Sequence, residues 1–314
     1  MKRFLKRFLT GSFRPQAHAP WESLAARLLF AGFMIYEFPT LMPFTTQPVP
    51  NGIARWMDLT WLARPGALEA VRWLFMGLMV PYVLGWALWL VLPVAAFLHV
   101  AVFTLNNSQG YINHNWQIVS CLLLVQAAVA VWWPLRAKWR GTGSVDAGKE
   151  VHDPALTRDA WLWYFTQLAM ALFYTTSAVS KVRKSGLGWM LDLENLSLAV
   201  KKTSVQAYYS DPTVGSAGGM PAAGQWIMEH PIGTALLFGP ALPLEFFAFL
   251  ALWNRAAAFW LGLALIAMHC GIEAIMGLDF YVNSVCLLIF QVNLPGWIGW
   301  WLKRRKTAPA TLAV

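Results

Sequence analysis

Charged side chains are scarce in this chain: they make up 12% of its 314 residues, against 58% hydrophobic ones and a mean hydropathy of +0.48. That leaves too little polar surface to solvate a globule of this length and excludes an ordinary water-soluble fold. Cysteine is scarce too. Cys121, Cys270 and Cys286 each lie inside an apolar block with no CxxC or paired spacing, which excludes a disulfide framework and a zinc site and leaves them as small packers. The sequence has no internal repeat and no low-complexity tail. The opening stretch MKRFLKRFLTGSFRPQ is basic but lacks the continuous apolar core of a cleavable signal, so it is expected to stay on the mature chain as a cytoplasmic anchor. A formal net charge of +9 needs no nucleic acid, because basic residues flanking membrane spans account for most of it.

What is present is a succession of apolar blocks of about 20 residues, the length of a helix that crosses roughly 30 Å of hydrocarbon. A bilayer forces each block to satisfy its own backbone polar groups, so the predicted class is all-α: a polytopic integral membrane bundle of about eight helices. Apolar runs bounded by Pro, Gly and charge place the spans near Glu22–Met42, Val71–Trp86, Ala87–Leu105, His114–Trp133, Trp161–Lys181, Thr234–Trp253, Ala256–Met276 and Tyr281–Trp301. The second and third share one run broken at Gly85-Trp86. The 19 Trp residues suit headgroup-level anchors or bundle core.

The organisation is then a basic cytoplasmic segment (1–20), a transmembrane domain (21–302) and a basic tail (303–314). Of the 24 Lys and Arg residues, fifteen fall on the side of the two termini and eight on the other, with Arg27 inside a span. The bias puts both termini in the cytoplasm, as in a bacterial inner membrane protein, with loop 134–160 cytoplasmic and loops 43–70 and 182–233 extracytoplasmic. The longer outer loop holds an amphipathic piece, Trp189–Val200, able to lie in the interface over the bundle, then a Gly/Pro/Ser-rich stretch, Asp211–Gly224.

Ionisable groups at membrane depth are costly, which makes them functional candidates: Glu37, His99, His114, Lys181, Glu245, His269 and Glu273. Glu37, His114, Lys181 and Glu273 all fall toward the outer leaflet of four different spans, as one outward-facing site would require. Lys181 reads either as an anchor whose ammonium reaches water or as a desolvated amine able to accept a proton. His114 reads as a polar helix start beside Asn113 and Asn115, or as a functional imidazole. His269 and Glu273, at i and i+4, share a helix face and could pair; they are too few for a metal site, and no metal is expected. Glu37 and Glu245 have simpler readings, protonated or paired with Arg27 or Arg255. His99 and the cysteines carry no assignment.

A set of sparse polar marks on these helices carries a resemblance. Asn113-His114 opens one span. Lys181 closes the next in SAVSKVRKSGLGW, with Trp189 downstream. A Pro-Leu-Glu-Phe-Phe span (Pro243–Phe247), the Asn254-Arg255 turn and a span with His269 followed by Gly277 and Phe280 complete the order. Over roughly Trp21–Leu302 this resembles the HTTM domain, the transmembrane module of vitamin K-dependent γ-carboxylase and of bacterial relatives. The resemblance implies a quinone-linked site on the extracytoplasmic side that uses a reduced quinone of the vitamin K or menaquinol type, O2 and CO2, with lyase chemistry on a peptide or protein approaching from outside. Lys181 looks like the residue that deprotonates the hydroquinone and His114 like the one that assists at the carbanion and carboxylation step. His269 matches a position of less defined role, and Glu273, Trp189, Asn113 and Glu37 stand as supporting residues. Two rival classes are a non-enzymatic membrane partner that escorts another protein and a transporter, for which the sequence shows neither broken helices nor a repeat.

Overall fold

The computed structural model describes residues 11–42, 44–112, 114–139, 157–186, 188–191, 193–213, 215 and 218–307, and these are all-helical, with no strand among them. Six helical stretches are long and apolar enough to cross a membrane: Ala67–Leu84, Leu88–Asn107, Asn115–Arg136, Pro231–Leu252, Arg255–Met276 and Tyr281–Trp301. Large apolar side chains stand exposed along them, among them Leu74, Leu90, Leu124, Leu236, Trp260 and Ile298. Such faces find their solvent in lipid, and they mark an integral membrane protein. The other two predicted spans are also helices, α1 (Pro20–Glu37) and α5 (Arg158–Ser185), but they are more polar. Glu22, Arg27 and Glu37 all lie within α1, while Thr, Gln and Tyr residues lower the hydropathy of α5. Of the predicted flanking segments, residues 1–10, 140–156 and 308–314 lie outside the described residues.

The chain divides into two compact units, with the division inside α5. The amino-terminal unit comprises Phe13–Ala169 and residues 293–307. Here α1 starts on Pro20, whose fixed φ suits a first helical turn. It ends five residues before its predicted limit, because Pro39 holds Phe38 in extended backbone. Helices α2 (Ala67–Leu84) and α3 (Leu88–Asn107) break where predicted. Gly85 takes φ 73° and caps α2 through its N–H to the Pro81 and Tyr82 carbonyls, and Ala87 turns the chain at φ 43°. Helix α4 (Asn115–Trp139) packs along α3. A buried chain holds α2, α4 and α5 together: the Tyr82 hydroxyl donates to Gln126 Oε1 (3.0 Å), and Gln126 Nε2 donates to Thr166 Oγ1 (3.2 Å), which donates to the Leu162 carbonyl (2.7 Å). Every member has a partner, so the network orders these helices rather than leaving polar groups orphaned in hydrocarbon. Arg27 pairs with Asp159 (3.2 Å) rather than with a glutamate, and Arg158 donates to the Gly85 carbonyl (3.1 Å).

The carboxy-terminal unit comprises Met170–Val292 with Gly11 and Ser12. After α5 come α6 (Gly188–Leu191), a 3-10 turn (Leu193–Asn195), α7 (Leu196–Ser210) and α8 (Ala222–Glu229), so the described residues of the predicted amphipathic piece are helical, and α7 runs ten residues further, to Ser210. The span predicted as one helix over Thr234–Trp253 is instead three pieces: α9 (Pro231–Phe238), α10 (Ala241–Phe246) and a 3-10 stretch, Phe247–Leu252. Pro240 and Pro243 cause the break, since neither can donate an N–H to the helical ladder. Helix α11 (Arg255–Met276) is continuous. Its ends are set by Asn254, whose side chain accepts from Ala257 N at 2.8 Å, and by Gly277 at φ 64°. Asn254→Ala is expected to cost about 1 kcal/mol, seen as a lower apparent melting temperature in detergent, with Asn254→Ser close to wild type. Helix α12 (Tyr281–Leu287) passes into a π turn, Leu288–Val292, before Asn293 (φ 48°) and α13 (Leu294–Thr307). Broken spans are therefore present where none was read from the sequence.

Candidate functional site

The break in Pro231–Leu252 does local work. Because Pro240 and Pro243 interrupt the helix, α10 carries Glu245 inward, where it is buried. Across from it, α5 brings Lys181, and the ammonium donates to both carboxylate oxygens, at 2.7 Å to Oε1 and 2.6 Å to Oε2. The side chains are 26% and 7% exposed respectively, so the carboxylate is the more deeply held partner. Glu245 thus finds its cation in Lys181, and Lys181 is neither a solitary anchor nor a solitary amine.

This ion pair stands in the wall of a cavity of about 920 Å³ within the carboxy-terminal unit. Phe238, Leu244, Met268, Ile272 and Phe280 supply apolar wall, and Leu196 closes it from α7. Among the described residues lining it, Lys181 and Glu245 are the only charged ones. A buried ion pair is seldom more stable than apolar residues of the same volume, so fold stability does not account for one placed in an otherwise greasy wall. Its position in the wall of an apolar space does: that is the arrangement that binds a lipophilic molecule and orients its polar end.

The remaining candidates distribute as follows. His269, on α11, is 4% exposed, and its Nε2 lies 2.8 Å from the Tyr174 hydroxyl of α5, while its Nδ1 is buried without a partner among the described residues. The predicted pairing with Glu273 is not made: Glu273 is exposed and outside the cavity wall, since an i, i+4 step turns it roughly 40° further from the buried face. His114 belongs to the amino-terminal unit, where it is exposed at the start of α4, 3.1 Å from Gln117 Oε1 through Nδ1. Glu37, in the same unit, is half-buried at the last position of α1. Asn113 lies outside the described residues, as does the side chain of Trp189 in α6. His99 is fully buried, 2.9 Å from Ser120 Oγ and packed by Phe75, Phe103 and Trp116, which reads as core. Among the described residues no group of three or more His, Cys, Asp or Glu side chains is arranged to hold a metal ion.

No family model, curated protein or solved structure matches this chain. Its site is read from its own chemistry. The part that sequence reasoning underrated is Glu245, whose signal was a carboxylate two residues after a proline inside an apolar run. Tyr174 was missed altogether, although it lies seven residues before Lys181 and so on the same face of α5.

Proposed function

We propose that the carboxy-terminal unit binds a lipophilic ligand bearing a hydrogen-bonding headgroup, of the reduced-quinone class, and that the Lys181–Glu245 pair handles its proton. The observation that carries this reading is a single ion pair in the wall of an apolar cavity. The residues fit such a group: Phe238 and Phe280 suit a ring, the aliphatic wall suits a prenyl tail, and the pair suits a hydroxyl. A reduced quinone supplies two electrons and two protons to an oxidant. Glu245, the carboxylate, accepts a hydroxyl proton at an Oε atom, and the Lys181 ammonium compensates the negative charge that its departure leaves. The role that the resemblance gives to Lys181 alone is thereby shared between two residues.

The fuller reading is an HTTM-type membrane protein. In it α1 and α5 also cross, making eight spans, both termini face the cytoplasm of a bacterial inner membrane, and the chemistry is carboxylase-like, with O2 as oxidant and CO2 added to a peptide approaching from outside. His114 enters as the residue assisting carboxylation, on the resemblance alone.

The test is turnover in lipid nanodiscs supplied with menaquinol, O2, bicarbonate and a Glu-containing peptide library. Wild type should oxidise the quinol, and Glu245→Gln should lose about 100-fold or more in rate. Equal rates in the two proteins sink the proton-handling role; carboxylated peptide in the wild-type reaction, lost in His114→Ala, supports the fuller reading. The broken spans favour a transporter as the second reading. It is tested by uptake of labelled quinone analogues or anions into proteoliposomes.

A further inference from the structure

Helices α5 and α11 hold a second polar cluster, Tyr174 with His269, that the proton-handling reading does not use. We infer that Tyr174 and His269 form a second hydrogen-bonding station of the same cavity, screened by Phe280, which receives a second oxygen of a ligand whose first oxygen lies at Lys181–Glu245. The inference rests on the reading that the cavity binds a lipophile.

Four observations carry it. First, the cluster is one partner short: Tyr174 meets both His269 and Asn283, yet His269 Nδ1 is buried with no partner among the described residues. A buried ring nitrogen left unpaired in an apolar bundle calls for a group that completes it. Second, the cluster borders the cavity. On α11 the lining face runs through Met268, Ile272 and Met276, and His269 lies roughly 20° beyond Met276 around the axis. Third, one side chain touches both. Phe280 lines the cavity and stacks on the His269 ring, with centroids 4.8 Å apart and planes 20° from parallel. A phenyl ring held by stacking can turn aside at the cost of a rotamer change. Fourth, the two stations are near each other. Tyr174 and Lys181 share a face of α5 about 10 Å apart along its axis, with the lysine side chain leaning back toward the N-terminus.

The ligand class that fits two stations flanking one apolar space is a prenylated ring with two hydrogen-bonding oxygens on opposite edges. A ring with one oxygen occupies the ion-pair station only.

Equilibrium binding in nanodiscs tests this with two tritiated probes: a prenylated 1,4-naphthohydroquinone, kept reduced, and the same prenylated ring with a single hydroxyl. Tyr174→Phe removes one oxygen from the protein while keeping the ring. His269→Gln keeps a group able to bond Tyr174 and removes Nδ1. Both variants are first required to elute as monodisperse protein. The expected result is about a 10-fold loss of affinity for the two-oxygen probe in each variant, with the one-oxygen probe changed less than 2-fold. Equal losses for both probes would show a merely structural role and overturn the inference, as would no loss for either. Wild-type protein that binds neither probe overturns the cavity reading itself, and this inference with it.

Discussion

Lys181→Ala is expected to destabilise the protein by about 3 kcal/mol, and Glu245→Gln by distinctly less. The asymmetry follows from burial. Removing the lysine leaves a carboxylate with a 7% exposed side chain and no cation, in a wall that offers it little else. Removing the acid's charge leaves a lysine that is 26% exposed, with a long stem able to carry its ammonium to water. The double variant Lys181→Met/Glu245→Met is expected to regain the wild-type melting temperature or exceed it, because two apolar residues of similar volume replace a pair that costs desolvation. It is also expected to lose quinol oxidation entirely. Apparent melting in detergent, followed by the monodisperse fraction on size exclusion, reads the first result, and nanodisc turnover reads the second. A double variant as unstable as Lys181→Ala would show that the pair supports the fold and would remove the reason for placing function there. The comparison also separates two effects that Lys181→Ala alone confounds, loss of chemistry and loss of folded protein.

The all-helical membrane class was legible in the sequence because hydrocarbon imposes one rule on every segment, and apolar length satisfies it visibly in six of the eight predicted spans. The break at Gly85-Trp86 was legible for a similar reason, since glycine adopts the left-handed cap that ends α2 without strain. The interruption of Pro231–Leu252 was not read, although Pro240 and Pro243 were in plain view. In an apolar run prolines are tolerated within helices, as Pro81 in α2 and Pro93 in α3 show, so proline alone does not predict a break. The site was half legible. Lys181 announced itself as a cation closing an apolar run, but its partner lies 64 residues away. Pairing across that distance depends on helix rotation and neighbour order, which periodicity does not encode. The same limit hid Tyr174 opposite His269: the local rule offered Glu273 at i+4, and the folded bundle supplied a hydroxyl from another helix.

Gly271→Phe is expected to abolish ligand binding, with a loss of 100-fold or more in affinity, while leaving the protein folded. Gly271 lines the cavity on α11, and a Cβ added there meets nothing within 4 Å. Its backbone is helical, so a side chain brings no φ strain, and replacing glycine within a helix favours the fold by up to about 1 kcal/mol. Gly271→Ala isolates that second effect: it should raise the apparent melting temperature and change affinity little, since one methyl removes a small part of a cavity of about 920 Å³. Phenylalanine at the same position projects a ring from the cavity-lining face of α11 into the space that the proposed ligand would fill. Affinity for the two-oxygen probe, measured for wild type, Gly271→Ala and Gly271→Phe in one nanodisc lipid, gives the result directly. Undiminished binding to a folded Gly271→Phe protein would mean that the ligand lies elsewhere. The Lys181–Glu245 pair would then need another explanation than the cavity it borders.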